Sequence, residues 1–402
     1  MFKPYAEILR DPAARAFVLA GFVARIPMAM VGLGIVLLVR STTGSYGLAG
    51  AVSATFAIAN AIGAPQVGRL VDRFGQHRVL PRVIAVHALG IVALLLAAGL
   101  HAPDALLFVP AFVAGLGYPV IGSLVRARWT HRLHGGEQLQ TAYALESVID
   151  EVVFTLGPVL VTVLATAVAP VAGLLAATVS VTVGGAALAA QRTTEPPHAG
   201  RHAGGPSAMR VPGMAVIASM LVGVGALFGT IDVSMVAFAS EHGHAALSGP
   251  LLALFAATSG VGGIAYGART WSLPLHRRLL VVLALMFAGT IPVALVDSLG
   301  LMALAVAAAG VSVAPMLITS AGLIEELVPR SALTEGFAWL STSIGAGSAV
   351  GLAAAGHVVD AASGHRAFVV ATVASLFSLV VATAGNRWLA VKGERATAAA
   401  EG

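Results

Sequence analysis

Glu146, Asp150 and Glu151 lie within one stretch, Tyr143-Ala-Leu-Glu-Ser-Val-Ile-Asp-Glu-Val-Val-Phe-Thr-Leu-Gly-Pro158. Its surroundings are apolar enough to read as a membrane-spanning helix. An ionisable side chain at the bilayer centre costs ~2.5–3.5 kcal/mol on insertion scales, so it normally faces protein or a watery cavity and marks an ion, proton or substrate path. Glu146 and Asp150 are four apart and share a helix face, whereas Glu151 sits ~100° further round. At most two of the three can look directly into one cavity. The chemistry that suits such a pair is reversible protonation. A basic group of the same kind stands in Ala24-Arg-Ile-Pro-Met-Ala-Met30, where Arg25 lies about 11 residues into the first apolar run, ~16 Å deep at 1.5 Å per residue. A charge at that depth needs a counter-ion. A fourth carboxylate, Asp232 in Phe228-Gly-Thr-Ile-Asp-Val-Ser-Met235, could hold a proton or a cationic group.

These charges are exceptions in a chain of 402 residues that is 58% apolar and 10% charged, with a mean hydropathy of +0.91. Soluble domains carry roughly 25% charged residues. The chain therefore reads as a polytopic membrane protein. Cysteine is absent, which excludes disulfides, thiol catalysis and thiolate metal sites. The net charge of +5 follows the loops on one side of a membrane, so no nucleic-acid partner is implied.

Apolar runs of ~20 residues, long enough to cross a ~30 Å hydrocarbon core, recur at residues 15–40, 45–68, 79–101, 104–127, 140–167, 169–190, 212–240, 247–268, 278–297, 299–324, 332–357 and 365–385. They predict twelve transmembrane spans in an all-α membrane protein. With both termini cytoplasmic, twenty of the 23 basic residues fall at inner positions; only Arg40 and Arg366 lie outside and Arg25 within. That bias supports both the orientation and the count. The sequence thus reads as a multi-pass protein of the plasma (bacterial inner) membrane. The first run is not followed by a small-residue cleavage site and reads as a retained helix. A Pro/Gly-rich cytoplasmic linker at residues 191–211 divides the chain into an N-terminal six-helix bundle, 1–190, and a C-terminal one, 212–402, with a short cytoplasmic tail. Gly117-Tyr-Pro119 in span four is echoed by Val313-Ala-Pro315 in span ten, and Gly157 in span five by Gly351 in span eleven, as expected of a duplicated half.

The loop after span two reads Gly68-Arg-Leu-Val-Asp72-Arg73-Phe-Gly75-Gln-His77-Arg78. It resembles the signature loop of the major facilitator superfamily at Gly68, Leu70, Asp72, Arg73, Gly75 and Arg78; His77 stands where a lysine or arginine is usual. Glycines at 68 and 75 permit close approach and a tight turn, and Asp72 suits the positive end of a neighbouring helix. The resemblance implies twelve spans in two pseudo-symmetric six-helix bundles. It also implies a latch, in which Asp72 pairs with the start of span eleven (331–335) and with Arg126 or Arg128 of span four. The corresponding loop of the second half, from Tyr266 to Arg278, lacks the aspartate. Gly157-Pro158 is similar to the end of the antiporter motif of facilitator-type exporters, although Val153, Ser147 or Glu146 replace its upstream glycines.

In facilitator folds span five neighbours span one, so the resemblance pairs Arg25 with Asp150 or Glu146. Buried pairs are poor devices for stability alone, and a proton switch is the functional reading. The implied activity is secondary active transport by alternating access, most simply proton-coupled export of a small amphipathic or drug-like compound. The alternatives are an importer of a small metabolite by symport or uniport, and a membrane sensor that no longer transports. Expected proton-coupling residues are Asp150, Glu146, Glu151, Arg25 and Asp232. Expected substrate contacts are Arg25, Asn60, Tyr118, Phe154, Phe228, Asp232, Met316 and Trp339, with Met235, Thr319 and Thr342 on the same spans. Met and aromatic walls suit a moderately lipophilic ligand, and the scarcity of Gln and Asn argues against a sugar. His87 reads as a packing histidine. The sequence has no His-Glu-x-x-His, no Gly-x-Ser-x-Gly and no cysteine, so no enzyme is expected. No cofactor or metal is expected either, and the family expectation is a monomer.

Overall fold

A computed structural model describes residues 3–133, 137–196, 208–267, 271–328 and 333–390, and these are almost wholly helical. Twelve helical spans are long and apolar enough to cross a membrane. They are Pro12–Thr43, Tyr46–Val71, Gln76–Gly99, Asp104–Leu133, Leu145–Ala167, Ala172–Ala190, Pro212–Glu241, Ala245–Gly267, Leu275–Leu295, Leu299–Leu327, Trp339–Ala361 and Gly364–Ala384. The chain separates into two compact units, Met1–His202 and Ala203–Gly402, with six spans in each.

Lipid tails are as apolar as leucine, so close packing and interhelical hydrogen bonds, rather than a hydrophobic drive, hold such helices together. Small residues do this work in both units. In the first, span six passes so close to span one that a Cβ on Gly184 would lie 2.7 Å from the Ala20 carbonyl oxygen and nearer still to the Ala24 nitrogen. In the second, span seven meets span eleven along reciprocal glycines: Gly225 faces the Ile344 carbonyl, and Gly347 faces that of Val222. Ser378 of span twelve donates to the Met220 carbonyl at 2.8 Å on another side of span seven.

Three spans expected as continuous helices are interrupted. Span one changes from α-helix (Pro12–Arg25) to a 3-10 turn (Ile26–Ala29) and resumes as α-helix at Val31. Pro27 is the cause. It has no N–H to give to the carbonyl of residue 23, and its ring crowds that turn. The freed Val23 carbonyl accepts instead from the Ser180 hydroxyl of span six, at 2.6 Å. Span four breaks between Leu116 and Ile121, and span ten between Gly310 and Val313. Those two breaks fall in the fourth span of each unit, beside the Gly-Tyr-Pro and Val-Ala-Pro echo in the sequence. Before span one, Asp11 caps the helix by accepting from the Ala13 amide at 3.0 Å. It also pairs with Arg132, whose guanidinium holds the Asp11 carboxyl below the usual carboxylate range.

Two substitutions probe the span one–span six contact. Gly184→Ala should cost ~1–3 kcal/mol through overpacking against backbone, and Ser180→Ala about 1 kcal/mol through the lost hydrogen bond. Thermal unfolding in a single detergent measures both, and an unchanged midpoint for Gly184→Ala would contradict this packing.

Candidate functional site

The interruption of span one sets the position of Arg25. It is the last residue of the first α-helical segment and is 2% exposed. Its Nε donates to the Gly21 carbonyl one turn earlier, at 3.2 Å, which turns the side chain back toward the N-terminal end of the span. Beyond the break, Ala29 lies against span five. A Cβ on Gly157 would stand 2.6 Å from the Ala29 Cβ and 3.3 Å from its carbonyl carbon. The glycine therefore lets span five close onto the 3-10 turn, and that approach brings the carboxylates within reach of Arg25.

Both carboxylates of the shared face meet it. Arg25 Nη1 donates to Asp150 Oδ1 at 2.9 Å, and Nη2 donates to Glu146 Oε2. The second oxygen of each carboxylate is held from span four. Trp129 Nε1 donates to Glu146 Oε1 at 2.8 Å, and Arg126 Nη2 donates to Asp150 Oδ2 at 2.7 Å. Phe17 packs edge-on against Trp129, with ring centroids 4.8 Å apart. Arg126 runs beside its neighbour: a Cβ on Gly122 would lie 3.1 Å from Arg126 Nη1 and 3.9 Å from Arg25 Cδ.

The two acids have different roles in this network. Glu146 is wholly buried, between a guanidinium and an indole. Asp150 keeps 23% of its side chain exposed and is shared by two guanidiniums, of which Arg126 is 38% exposed. A proton or a ligand can reach the Asp150–Arg126 edge without dismantling the Glu146 core. Glu151, the next residue, is half-buried.

The loop after span two departs from expectation at several positions. Gly75 ends the helix at φ +86°, a conformation that favours glycine. A Cβ on Gly68 would meet nothing within 4 Å among the described residues. Arg73 lies over the ring of Phe74, 5.0 Å from its centroid. The Asp72 side chain, and residues 331 and 332 on its expected partner, lie outside the described residues. Arg126, expected at the latch, is engaged with Asp150. Arg128, the other expected partner, is fully buried and caps the end of span six. It donates to the Leu188 and Gln191 carbonyls, both at 2.9 Å, to Thr194 Oγ1 at 2.6 Å and to Gln76 Oε1 at 2.7 Å. Beside it, His77 Nδ1 lies 2.8 Å from Glu195. Arg78 and Arg82 stand on the same helix, joined through the Arg78 carbonyl.

The remaining expected contacts are not gathered at the Arg25 network. Tyr118 packs edge-on against Phe56 and His87, and His87 Nδ1 donates to the Ala114 carbonyl at 2.9 Å. Asn60 has a buried Oδ1 with no partner among the described residues. Phe154 is 41% exposed, one turn beyond Asp150 on the same helix face. In the second unit Met235, Met316 and Thr319 are fully buried. The Thr319 hydroxyl is bonded to Tyr266 Oη at 2.8 Å and to the Pro315 carbonyl at 2.6 Å. These three side chains are closed in by packing. Phe228 and Thr342 are half-buried, and Trp339 is 37% exposed. Asp232 is half-buried, and no hydrogen bond or ion pair joins it to another described residue. His242 and His365 approach Asp297 at 3.7 and 4.0 Å, and no metal-type group of three occurs among the described residues.

A family model described as Major Facilitator Superfamily matches residues 17–305. No curated protein matches the sequence. An auto-inhibited peptide transporter of the POT family superposes with a TM-score of 0.72 at 12% identity, over 94% of this chain and 96% of that one. A bacterial homologue of the human lysosomal transporter Spinster gives 0.71 at 14%, over 94% and 97%. A nucleoside transporter gives 0.71 at 12%, over 95% and 100%. At these identities the similarity is one of fold, and the cargoes named for the relatives differ.

Removing one partner from a buried pair strands the other charge. Arg25→Met should therefore cost ~3–5 kcal/mol, whereas Arg25→Met combined with Glu146→Leu should recover a large part of that loss. Thermal unfolding of the two single variants and the double variant checks this, and additive losses would contradict the described coupling.

Proposed function

Because the chain belongs to the Major Facilitator Superfamily and is a multi-pass membrane transporter of that type, we propose that it is a proton-coupled secondary transporter of small amphipathic compounds. It works by alternating access, and Asp150 is the group that takes up and releases the proton. The observation that carries this reading is the sharing of Asp150 between Arg25 and Arg126 at 2.9 and 2.7 Å. Protonation cancels the carboxylate's charge and frees two guanidinium donors at once, so one proton changes contacts on spans one, four and five together. Glu146 is the second protonation candidate, and its enclosure by Arg25 and Trp129 suits it to hold Arg25 in place while Asp150 titrates. Glu151 adds a neighbouring charge.

Export in exchange for protons is the first direction we consider, with a drug-like compound resting on apolar and aromatic walls such as Phe154, Phe228, Tyr118 and Trp339. Asp232, a carboxylate with no partner among the described residues, would serve a cationic compound or a second proton. Gly157-Pro158 lends this direction little support, since close packing on Ala29 accounts for the glycine. Import with protons is the second reading, and the two arginines at Asp150 favour it. We place both termini in the cytoplasm of a bacterial inner membrane, from the distribution of basic residues, and propose a monomer. The loop around Asp72, Arg73, Gly75 and Arg78 is proposed to act as a latch between states. Arg126 could join it only after leaving Asp150.

Asp150→Asn tests the coupling. The variant should fold and still exchange labelled for unlabelled substrate across a proteoliposome membrane, but a pH gradient should no longer drive accumulation. Accumulation that follows the pH gradient as in the unaltered protein would remove Asp150 from its assigned role.

A further inference from the structure

We infer that the cargo carries a carboxylate or similar monoanionic group, that Arg126 binds it, and that it loads together with the proton. The inference rests on the proposal that Asp150 is the proton site, and it decides between the two directions of coupling left open there.

Protonation of Asp150 leaves its two arginines in different positions. While Asp150 is ionised, its two oxygens occupy Arg25 Nη1 and Arg126 Nη2. Once it is neutral, it no longer balances either guanidinium. Arg25 keeps Glu146, to which its Nη2 is bonded in the buried core, and keeps the Gly21 carbonyl on Nε. Arg126 has no second carboxylate bonded to it among the described residues. It is also the more exposed of the two arginines, with 38% of its side chain exposed against 1% for Arg25. Protonation thus creates one accessible guanidinium in want of an acceptor. A planar anion that can take two parallel N–H bonds is the ligand such a fork matches.

Counting charge gives the coupling. Relative to the empty, ionised site, a proton alone adds one positive charge and an anion alone adds one negative charge. The two together add none. The four bonded groups, Arg25, Arg126, Glu146 and Asp150, sum to zero when the site is empty and ionised, and Arg25 and Glu146 stay constant through that comparison. Uncompensated charge inside the membrane is costly, so the empty and the doubly loaded carriers are the forms that can reorient, and the half-loaded forms are held back. That is the rule a symporter needs. A cationic cargo would add the same charge as the proton and would sit against two guanidiniums. On the helix face that carries Asp150, Phe154 is exposed one turn further along span five. An apolar tail attached to the anionic group can rest there, so the cargo class is an amphipathic organic monoanion.

The test uses the full chain in proteoliposomes with a pH-sensitive dye inside. It employs matched sets in which one scaffold bears a carboxylate, a primary amide or an ammonium group: benzoate, benzamide and benzylammonium, and the same three forms of phenylpropyl and octyl chains. The expected result is entry of at least one carboxylate accompanied by protons, at a rate above that of protein-free liposomes, with its amide and ammonium partners showing no such excess. Arg126→Gln should lower uptake efficiency of that carboxylate roughly 10- to 100-fold, the scale of a lost charge-assisted contact, mainly through KM. Arg126→Lys should restore part of it. Asp150→Asn should still bind the carboxylate, at an affinity that no longer depends on pH, as followed by thermal stabilisation. Exchange of an ammonium member for protons would overturn the inference while leaving Asp150 as the proton site. Carboxylate entry without protons, unaffected by Asp150→Asn, would overturn the coupled loading and the proton reading with it, and leave the Arg126 site. Silence across all three sets, in protein whose unfolding midpoint is intact, would overturn the inference.

Discussion

The structure of the first unit depends on one constraint: the guanidinium of Arg25 is buried deep in a membrane span and must be balanced there. A lone charge at such depth is costly, and the side chain reaches its balance only because several helices come unusually close. Pro27 breaks span one just after Arg25, Ser180 satisfies the carbonyl that the break frees, and Gly157 lets span five press on the resulting turn. Gly184 performs the same service for span six. None of these residues has an ionisable side chain, yet each decides whether two carboxylates can stand within hydrogen-bonding distance of one arginine.

Charge placement differs between the two units. The first holds two arginines and two acids bonded into one network across spans one, four and five. The second holds Asp232 on span seven, with no bonded partner among the described residues, in a unit whose span seven is otherwise packed through small residues. Both units break their fourth span, while among the described residues the bonded network of arginines and acids lies in the first. Within the network, burial divides the labour. Glu146 is sealed between Arg25 and Trp129, and Asp150 meets the accessible Arg126. The same four side chains therefore offer a fixed ion pair and an exchangeable one.

Much of this was legible in the sequence. Twelve apolar runs became twelve spans because length and hydropathy are set by the bilayer. The meeting of Arg25 with Glu146 and Asp150 could be anticipated because each is too costly to leave alone and the family resemblance makes their spans neighbours. What escaped notice carries no strong signal of its own. Trp129 looks like any interfacial indole until its N–H is found on Glu146, and Ser180 looks like any polar residue of a small-residue helix. Pro27 drew no reading of its own, although its missing N–H ends the first helical segment at Arg25. Arg126 and Arg128 were assigned to the loop latch from their place in span four. One lies on Asp150 and the other on the exposed carbonyls ending span six, because unsatisfied acceptors there attract a guanidinium. Met316 and Thr319, named because their spans line the cavity in facilitator folds, are enclosed by packing in the second unit.

The central claim is that Asp150, and not Glu146, exchanges the proton. Infrared difference spectroscopy of the reconstituted protein measures this directly, through the carbonyl stretch that a carboxyl group gains when protonated. Acidification should produce such a band in the unaltered protein and in Glu146→Gln, and Asp150→Asn should lack it. A band that persists in Asp150→Asn and vanishes in Glu146→Gln would contradict the account and move the proton to the buried acid.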